Sequence, residues 1–363
     1  MKTEQSLKVI IACGGTGGHL FPGIAVAQQL RKMGHRPMLL ISRKEVDAEA
    51  SSKYGDLEFH SIPAIAKPPT LSLRMPGFLW KLFRTYMSCK KLIRREKADV
   101  VLGMGGFTSL PPCKAAHALG LRSYVHDSNA MPGKSNRLTA RWCTKVLVGL
   151  KEAIPHFPGS CCEIVGTPVR EEICNLPSQA DARERLGLPA DKPVILVTGG
   201  SQGARNLNSM LIEAAKADPG VHYLVIAGRI DYDRVNALAD GAANITVLGF
   251  CSNMPAAYAA ADGVIARSGA STLTELSIIG KATLLVPFPF AADDHQTHNA
   301  LAFSTHGAAV LIQQADLTTE KVHDFVHNTV LNPTARESME TAMRGLARPE
   351  AASDIAKAIL GAS

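Results

Sequence analysis

The chain has 363 residues, long for a single core and suited to two domains. Its 46% hydrophobic and 20% charged residues exclude a disordered chain. No apolar run approaches the ~20 residues that a spanning helix needs. The net charge is +7, but residues 67–97 alone hold nine Lys or Arg against one Glu, so the remainder is near −1 and the excess is one basic stripe.

The first residues, MKTEQSLKVIIACGG, imitate a lipoprotein signal with Cys13 at the cleavage point. The apolar part is too short and runs straight into a glycine loop, so the expectation is an uncleaved segment. Eight cysteines form no CxxC pair, which fits reduced thiols in a cytoplasm.

From there short β-branched runs alternate with helical stretches. In order the runs are KVIIAC, RPMLLIS, ADVVLG, RSYVHD and KVLVG, then PVILVT, HYLVIAG, NITVLGF, GVIARSG, ATLLVPF and AAVLIQ. This alternation predicts βαβ units and parallel sheets. VIIACGGTGGH at 9–19 aligns without gaps to VILVTGGSQGA at 194–204, an offset of 185 residues, so two tandem Rossmann-like domains are expected. The join falls near VGTPVREEICNLPSQADARERLGLP, and ARPEAASDIAKAILGAS reads as a closing helix.

Neither glycine loop fits a dinucleotide fingerprint or a P-loop: from Gly15 the sixth position is Leu20, and no Gly-Lys-Ser/Thr follows. What remains is a strand, a glycine turn and a helix amino terminus, which favours an anion. Thr16 aligns with Ser201, whereas His19 aligns with Ala204, so anion binding leaves His19 unexplained. The positive end of a helix dipole disfavours imidazolium, and a neutral imidazole at a cleft suits a general base.

Other constellations compete. GGSQG at 199–203 fits the nucleophile elbow of a serine hydrolase, with Asp262 and His295 or His306 following in triad order, but this leaves the sister loop at 14–18 without a role. DDHQTHNA at 293–300 lacks a third ligand at metal spacing, so polar ligand contacts are expected there and no metal. HDSN at 126–129 closes a strand at its carboxyl end, where Asn129 can meet a sugar hydroxyl. In SGASTLTEL, Glu275 lies one turn into a helix, placed to accept ribose hydroxyls. Within the basic stripe Phe78, Leu79, Leu82, Phe83, Tyr86 and Ile93 recur at helical spacing beside Lys81, Arg84, Lys90, Lys91, Arg94 and Arg95. With the preceding TLSLRMPGFLW, this mixture suits an anionic leaflet. The stripe lacks aromatic interleaving and lies on one helix, which argues against nucleic acid.

Taken together, GGTGGHLFPG (14–23), GMGGFTSLPPCKAA (103–116), HDSNAMPGKSNR (126–137), GTPVR (166–170), GGSQGARNLN (199–208), RSGASTLTEL (267–276) and DDHQTHNA (293–300) resemble the MurG family. These are peripheral-membrane N-acetylglucosaminyltransferases of bacterial peptidoglycan synthesis. The resemblance runs in order from residue 8 to about residue 345 and implies an α/β GT-B fold, two Rossmann-like domains facing a cleft. Residues 1–168 would take the acceptor and the membrane, 169–345 would bind the donor, and 346–363 would form a helix packing back on the first domain. The implied reaction is inverting transfer of GlcNAc from UDP-GlcNAc to the 4-hydroxyl of the muramoyl sugar on undecaprenyl-pyrophosphate (lipid I), giving lipid II.

For such a transfer His19, the group that the second loop lacks, is expected to be the base; the other roles are carried over by motif. Gly14, Gly15, Gly105 and Gly106 would handle the acceptor pyrophosphate, with Thr16, Gly17 and Gly18 near the donor sugar. Arg170 and Ser201 would meet phosphate, Phe250 and Cys251 the uracil, Ala270, Ser271 and Thr272 the donor by backbone, Glu275 the ribose, and Asn129 and Gln296 the GlcNAc. Leu79, Trp80, Phe83, Lys81 and Arg84 would meet the cytoplasmic face of the inner membrane, where other cell-wall synthesis proteins could be partners. No cofactor beyond the donor substrate is expected. The family commonly shows HEQN where this chain has His126-Asp127-Ser128-Asn129, and some members have Gln at the position of His295. A UDP-GlcNAc epimerase shares this fold and is the alternative; it would release UDP without a lipid acceptor.

Overall fold

In a parallel strand covered on both faces every position is apolar, and Val9, Ile10, Ile11 and Ala12 are all fully buried. Their side chains alternate between two cores. Val9 and Ile11 pack with Leu20, Ile24 and Leu30 on one face, whereas Ile10 and Ala12 pack with Cys89, Leu92, Ile93 and Ala116 on the other. The helices Gly17–Lys32 and Ala351–Leu360 therefore lie on one face of the sheet, and Met75–Arg95 and Leu110–His117 on the opposite face.

The structure is a computed structural model that describes residues 6–42, 54–63, 75–199 and 205–361. It divides into two units, one of Met1–Arg170 with Arg348–Ser363 and one of Glu171–Ala347. The first holds β1 (Lys8–Ala12), β2 (Arg36–Ile41), β3 (Glu58–Ser61), β4 (Val100–Gly103), β5 (Arg122–Asp127), β6 (Lys145–Val148) and β7 (Cys162–Ile164). They form one parallel sheet in the order β3-β2-β1-β4-β5-β6-β7. Ala12, at the end of β1, pairs with Leu40 on one side and Gly103 on the other.

The second unit holds β8 (Val194–Thr198), β9 (His222–Ile226), β10 (Ile245–Leu248), β11 (Gly263–Ala266), β12 (Ala282–Leu285) and β13 (Val310–Leu311). Its parallel sheet runs β10-β9-β8-β11-β12-β13. In each unit the strand order reverses beside the first strand, between β1 and β4 and between β8 and β11. Loops leaving the carboxyl ends of such strand pairs form the crevice where open parallel sheets bind ligands. These loops begin at Cys13 and Met104 in the first unit, and at Gly199 and Arg267 in the second. The expected α/β architecture of two parallel Rossmann-like sheets is what forms.

Among the described residues no helix is long and apolar enough to cross a membrane. The Met75–Arg95 helix buries Thr85, Cys89, Leu92 and Ile93, all in its carboxyl-terminal half or at its middle. Leu79, Trp80, Phe83 and Met87 remain 49–62% exposed, with the Trp80 and Phe83 rings stacked at 6.0 Å. Lys81 and Arg84 are exposed beside them.

Candidate active site

In the first unit, the switch point brings two glycine turns together. A β-carbon on Gly14 would overlap the backbone of Ile41 and Ser42, so only glycine lets the chain leave β1 here. Thr16 is extended, and its carbonyl accepts from His19 N (3.1 Å) and Leu20 N (3.0 Å) as the Gly17–Lys32 helix begins. The N–H groups of Gly17 and Gly18 therefore head the helix without an intrahelical partner.

The second turn, Gly105–Gly106, has φ of 116° and 72°. The His19 ring lies against it: a β-carbon on Gly105 would stand 2.9 Å from His19 Nε2, and one on Gly106 3.2 Å from Cε1. His19 Nδ1 is 3.2 Å from Thr16 Oγ1. One hydroxyl locks the turns to each other and a second braces the Gly105 turn. Thr108 Oγ1 donates to Gly14 O (2.9 Å), while Ser109 Oγ accepts from Gly105 N (2.9 Å) and donates to Gly105 O (2.8 Å).

Asn136 joins this assembly to the end of β5. Its Oδ1 accepts from Gly106 N (3.1 Å), and its Nδ2 donates to Asp127 Oδ2 (2.8 Å) and His126 O (3.2 Å). Asp127 also accepts from Asn129 N (2.9 Å), Asn129 Nδ2 (3.1 Å) and Gly133 N (3.1 Å), so both carboxyl oxygens are engaged. Burial pushes the Asp127 carboxyl above its usual value, against the N–H donors that favour the carboxylate. These bonds hold the 126–136 loop, in which Asn129 lies. His126 is fully buried and donates from Nε2 to Gly166 O (2.8 Å). Burial above all, with His19 acting in the same direction, pulls the His126 imidazole down to about 4, so it is neutral at physiological pH. Arg170 lies in the first unit with its guanidinium carbon 4.9 Å from the Phe21 ring centroid.

In the second unit Ser201 lies outside the described residues. Gly269 caps the Ala270–Ile279 helix, so Ala270, Ser271 and Thr272 form its first turn and Glu275 lies one turn on. Glu275 Oε2 accepts from the buried Tyr258 hydroxyl (2.9 Å). Ser268, ahead of the cap, donates from Oγ to Gln296 O (2.7 Å) and accepts at its own carbonyl from Asn299 Nδ2 (3.1 Å). Gln296 Oε1 accepts from Phe288 N (2.9 Å), which holds the loop after β12 beside the same helix start. Arg267 clamps that loop from below, donating to Val286 O (3.0 Å), Pro287 O (2.8 Å) and Gln314 Oε1 (2.5 Å); burial pulls its guanidinium down to about 10. Phe250 follows β10 with its ring 54% exposed, and Cys251 is buried next to it.

Asn136, Thr108, Ser109, Arg267 and Tyr258 received no role from the sequence, although all but Tyr258 lie inside or beside the motifs that define the two loop clusters. Asp262 does not serve a serine triad. It accepts from Val194 N (2.7 Å) and Arg183 Nη2 (2.7 Å) at the amino-terminal edge of the sheet, a strand length of roughly 17 Å from where the 199–203 segment departs. Among the described residues no group of three or more His, Cys, Asp or Glu is placed to hold a metal ion.

Comparison with known proteins agrees with this geometry. Residues 9–148 match the glycosyltransferase family 28 N-terminal domain, and residues 194–359 match the glycosyltransferase family 28 C-terminal domain. A UDP-N-acetylglucosamine--N-acetylmuramyl-(pentapeptide) pyrophosphoryl-undecaprenol N-acetylglucosamine transferase of Cupriavidus metallidurans is 38% identical over 360 residues, covering 96% of each chain. Its namesake from Desulforudis audaxviator is 36% identical over 362 residues, again covering 96% of each. The crystal structure of Acinetobacter baumannii MurG superposes with a TM-score of 0.78 at 30% identity, covering 98% of this chain and 100% of that one. A UDP-GlcNAc 2-epimerase from Neisseria meningitidis shares the fold alone, at 14% identity and a TM-score of 0.70. The chain belongs to glycosyltransferase family 28 and, within it, to the MurG family of N-acetylglucosaminyltransferases.

Proposed function

We propose that this enzyme transfers GlcNAc from UDP-GlcNAc to the 4-hydroxyl of the muramoyl sugar of lipid I, with inversion at the anomeric carbon, giving lipid II and UDP. The observation that carries the reading is the first-unit switch point, where the His19 imidazole is seated between an anion-favouring helix start and the Gly105–Gly106 turn. Gly14, Gly15, Gly105 and Gly106 bring bare backbone to the acceptor pyrophosphate, and Thr16, Gly17 and Gly18 lie beside the reacting sugar.

In the transfer the 4-hydroxyl oxygen forms a bond to the anomeric carbon while the bond from that carbon to the β-phosphate oxygen breaks, its electron pair leaving with UDP. The hydroxyl proton goes to His19. With Nδ1 protonated and facing Thr16 Oγ1, Nε2 is the accepting atom. No metal is assigned to the leaving group; the charge on UDP is met by Arg170, by Ser201 and by the start of the helix that follows it. In the second unit Phe250 and Cys251 flank the uracil, Ala270, Ser271 and Thr272 offer backbone, Glu275 accepts from the ribose, and Gln296 with Asn129 holds the GlcNAc.

The exposed stripe of Leu79, Trp80 and Phe83, with Lys81 and Arg84, rests on the anionic cytoplasmic leaflet where the lipid acceptor resides. The Phe78 ring meets Phe107 edge-on at 5.7 Å, which ties this helix to the Gly105–Gly106 turn. Such placement serves cell-wall synthesis, and through it cell shape and division. Incubation with radiolabelled UDP-GlcNAc and lipid I tests the assignment. Label should enter the lipid fraction with release of UDP, whereas UDP release without lipid labelling would indicate epimerase or hydrolase chemistry.

A further inference from the structure

Arg229 has no part in the reading above. It follows β9 at a turn where Gly228 takes φ of 88°, and the side chain is exposed. Ala227 N donates to Leu248 O (2.8 Å), which sets the carboxyl ends of β9 and β10 level and places Arg229 beside Phe250. The guanidinium carbon lies 4.4 Å from the Phe250 ring centroid. Among the described residues no carboxylate pairs with Arg229. Asp231, two positions on, is instead taken up by Arg234 (2.7 Å) and Asn208 (2.9 Å). A cation left without an anion, laid on a ring that is more than half exposed, is a stacking pair at the ligand edge of a parallel sheet.

We infer that Arg229 and Phe250 form a clamp that holds the nucleobase of the donor between a guanidinium plane and an aromatic face. The inference rests on the donor assignment made above, and adds the residue that closes the base site from its outer side. In the chain alone the two side chains stack on each other. A planar base entering between them exchanges one cation–π contact for two stacked faces, and the long exposed arginine supplies the movement. The fork of the guanidinium is flat and weakly hydrated, so a lysine ammonium does not reproduce the contact.

Steady-state transfer and uridine inhibition, measured on the full-length enzyme and on Arg229→Ala and Arg229→Lys, test the clamp. For Arg229→Ala the KM for UDP-GlcNAc should rise roughly tenfold with little change in kcat, because a stacking contact acts on ground state and transition state alike. Inhibition by uridine, which carries the base and no phosphate, should weaken by the same factor, and Arg229→Lys should recover little of either. If uridine inhibits Arg229→Ala as well as it inhibits the wild type, while UDP alone binds less tightly, Arg229 meets the diphosphate and the clamp is wrong. If neither UDP nor uridine inhibits the wild type, the donor assignment itself fails.

Discussion

The His19 imidazole and Gly105 are in such close contact that a β-carbon on the glycine would stand 2.9 Å from Nε2. The φ of 116° at Gly105 adds backbone strain to any replacement. Gly105→Ala should therefore displace the ring rather than unfold the unit. We expect a stability loss of about 1–3 kcal/mol and a fall in turnover of roughly 100-fold, since small misplacements of a catalytic group are costly. Thermal unfolding and the lipid-labelling assay, run on the same preparation, separate the two effects.

Asn136 connects Gly106 N to Asp127 Oδ2, and Asn136→Asp would set two carboxylates against each other at the 2.8 Å contact. Like charges that close cannot both ionise, so the pair should hold a proton whose folded-state pKa lies above the unfolded value. The extra stability of that protonated pair is present at low pH and is lost as pH rises through the folded pKa. The variant should consequently approach wild-type stability in acid and fall away towards neutrality. Urea midpoints measured from pH 4 upwards check this; a constant deficit at every pH would show that the carboxylates do not interact.

His126 makes a second pH-dependent contribution, of opposite sign. Its folded pKa of about 4 lies below the usual 6.5, so as pH falls below 6.5 the unfolded chain takes up a proton that the folded chain refuses. That costs about 2 kcal/mol by pH 5 and levels off below pH 4. His126→Gln, which keeps a donor for Gly166 O, should flatten the loss of stability between pH 7 and pH 5 relative to wild type. Parallel slopes in the two proteins would remove His126 from the account.

The exposed ridge on the Met75–Arg95 helix makes a prediction at a surface. Replacing Leu79, Trp80 and Phe83 by serine should weaken cosedimentation with vesicles containing phosphatidylglycerol, by roughly tenfold for each side chain that enters the bilayer. Lys81→Gln with Arg84→Gln should weaken it less, by about 1 kcal/mol for each charge, and that part should vanish in high salt. Transfer to a short-chain, water-soluble acceptor should be unaffected in both sets.

The parallel sheets were legible because parallel strands are near-continuous apolar runs, and KVIIA and VILVT are buried at every position. The strands β3 and β7 escaped for the converse reason. EFHS and CEI lie at the sheet edges with no fully buried position, so neither carries an apolar run to read. In the site, a glycine turn and a titratable residue stand out in a sequence, and these drew attention to the 14–18 loop and His19, whereas Gly105 and Gly106 came from the family resemblance. The groups that fix the turns do not stand out. Thr108 and Asn136 are ordinary polar residues whose partners Gly14 and Gly106 lie 94 and 30 positions away. Only the fold brings them together. Asp127 shows the same limit, since nothing in HDSN announces the four hydrogen bonds by which its carboxylate anchors the loop.

The account depends most on His19 receiving the acceptor proton. His19→Ala should cut labelling of the lipid fraction by roughly 100- to 10,000-fold while calorimetry shows UDP-GlcNAc still binding, since the donor contacts proposed above are made by other residues. Turnover close to wild type in a variant that binds the donor normally would contradict it.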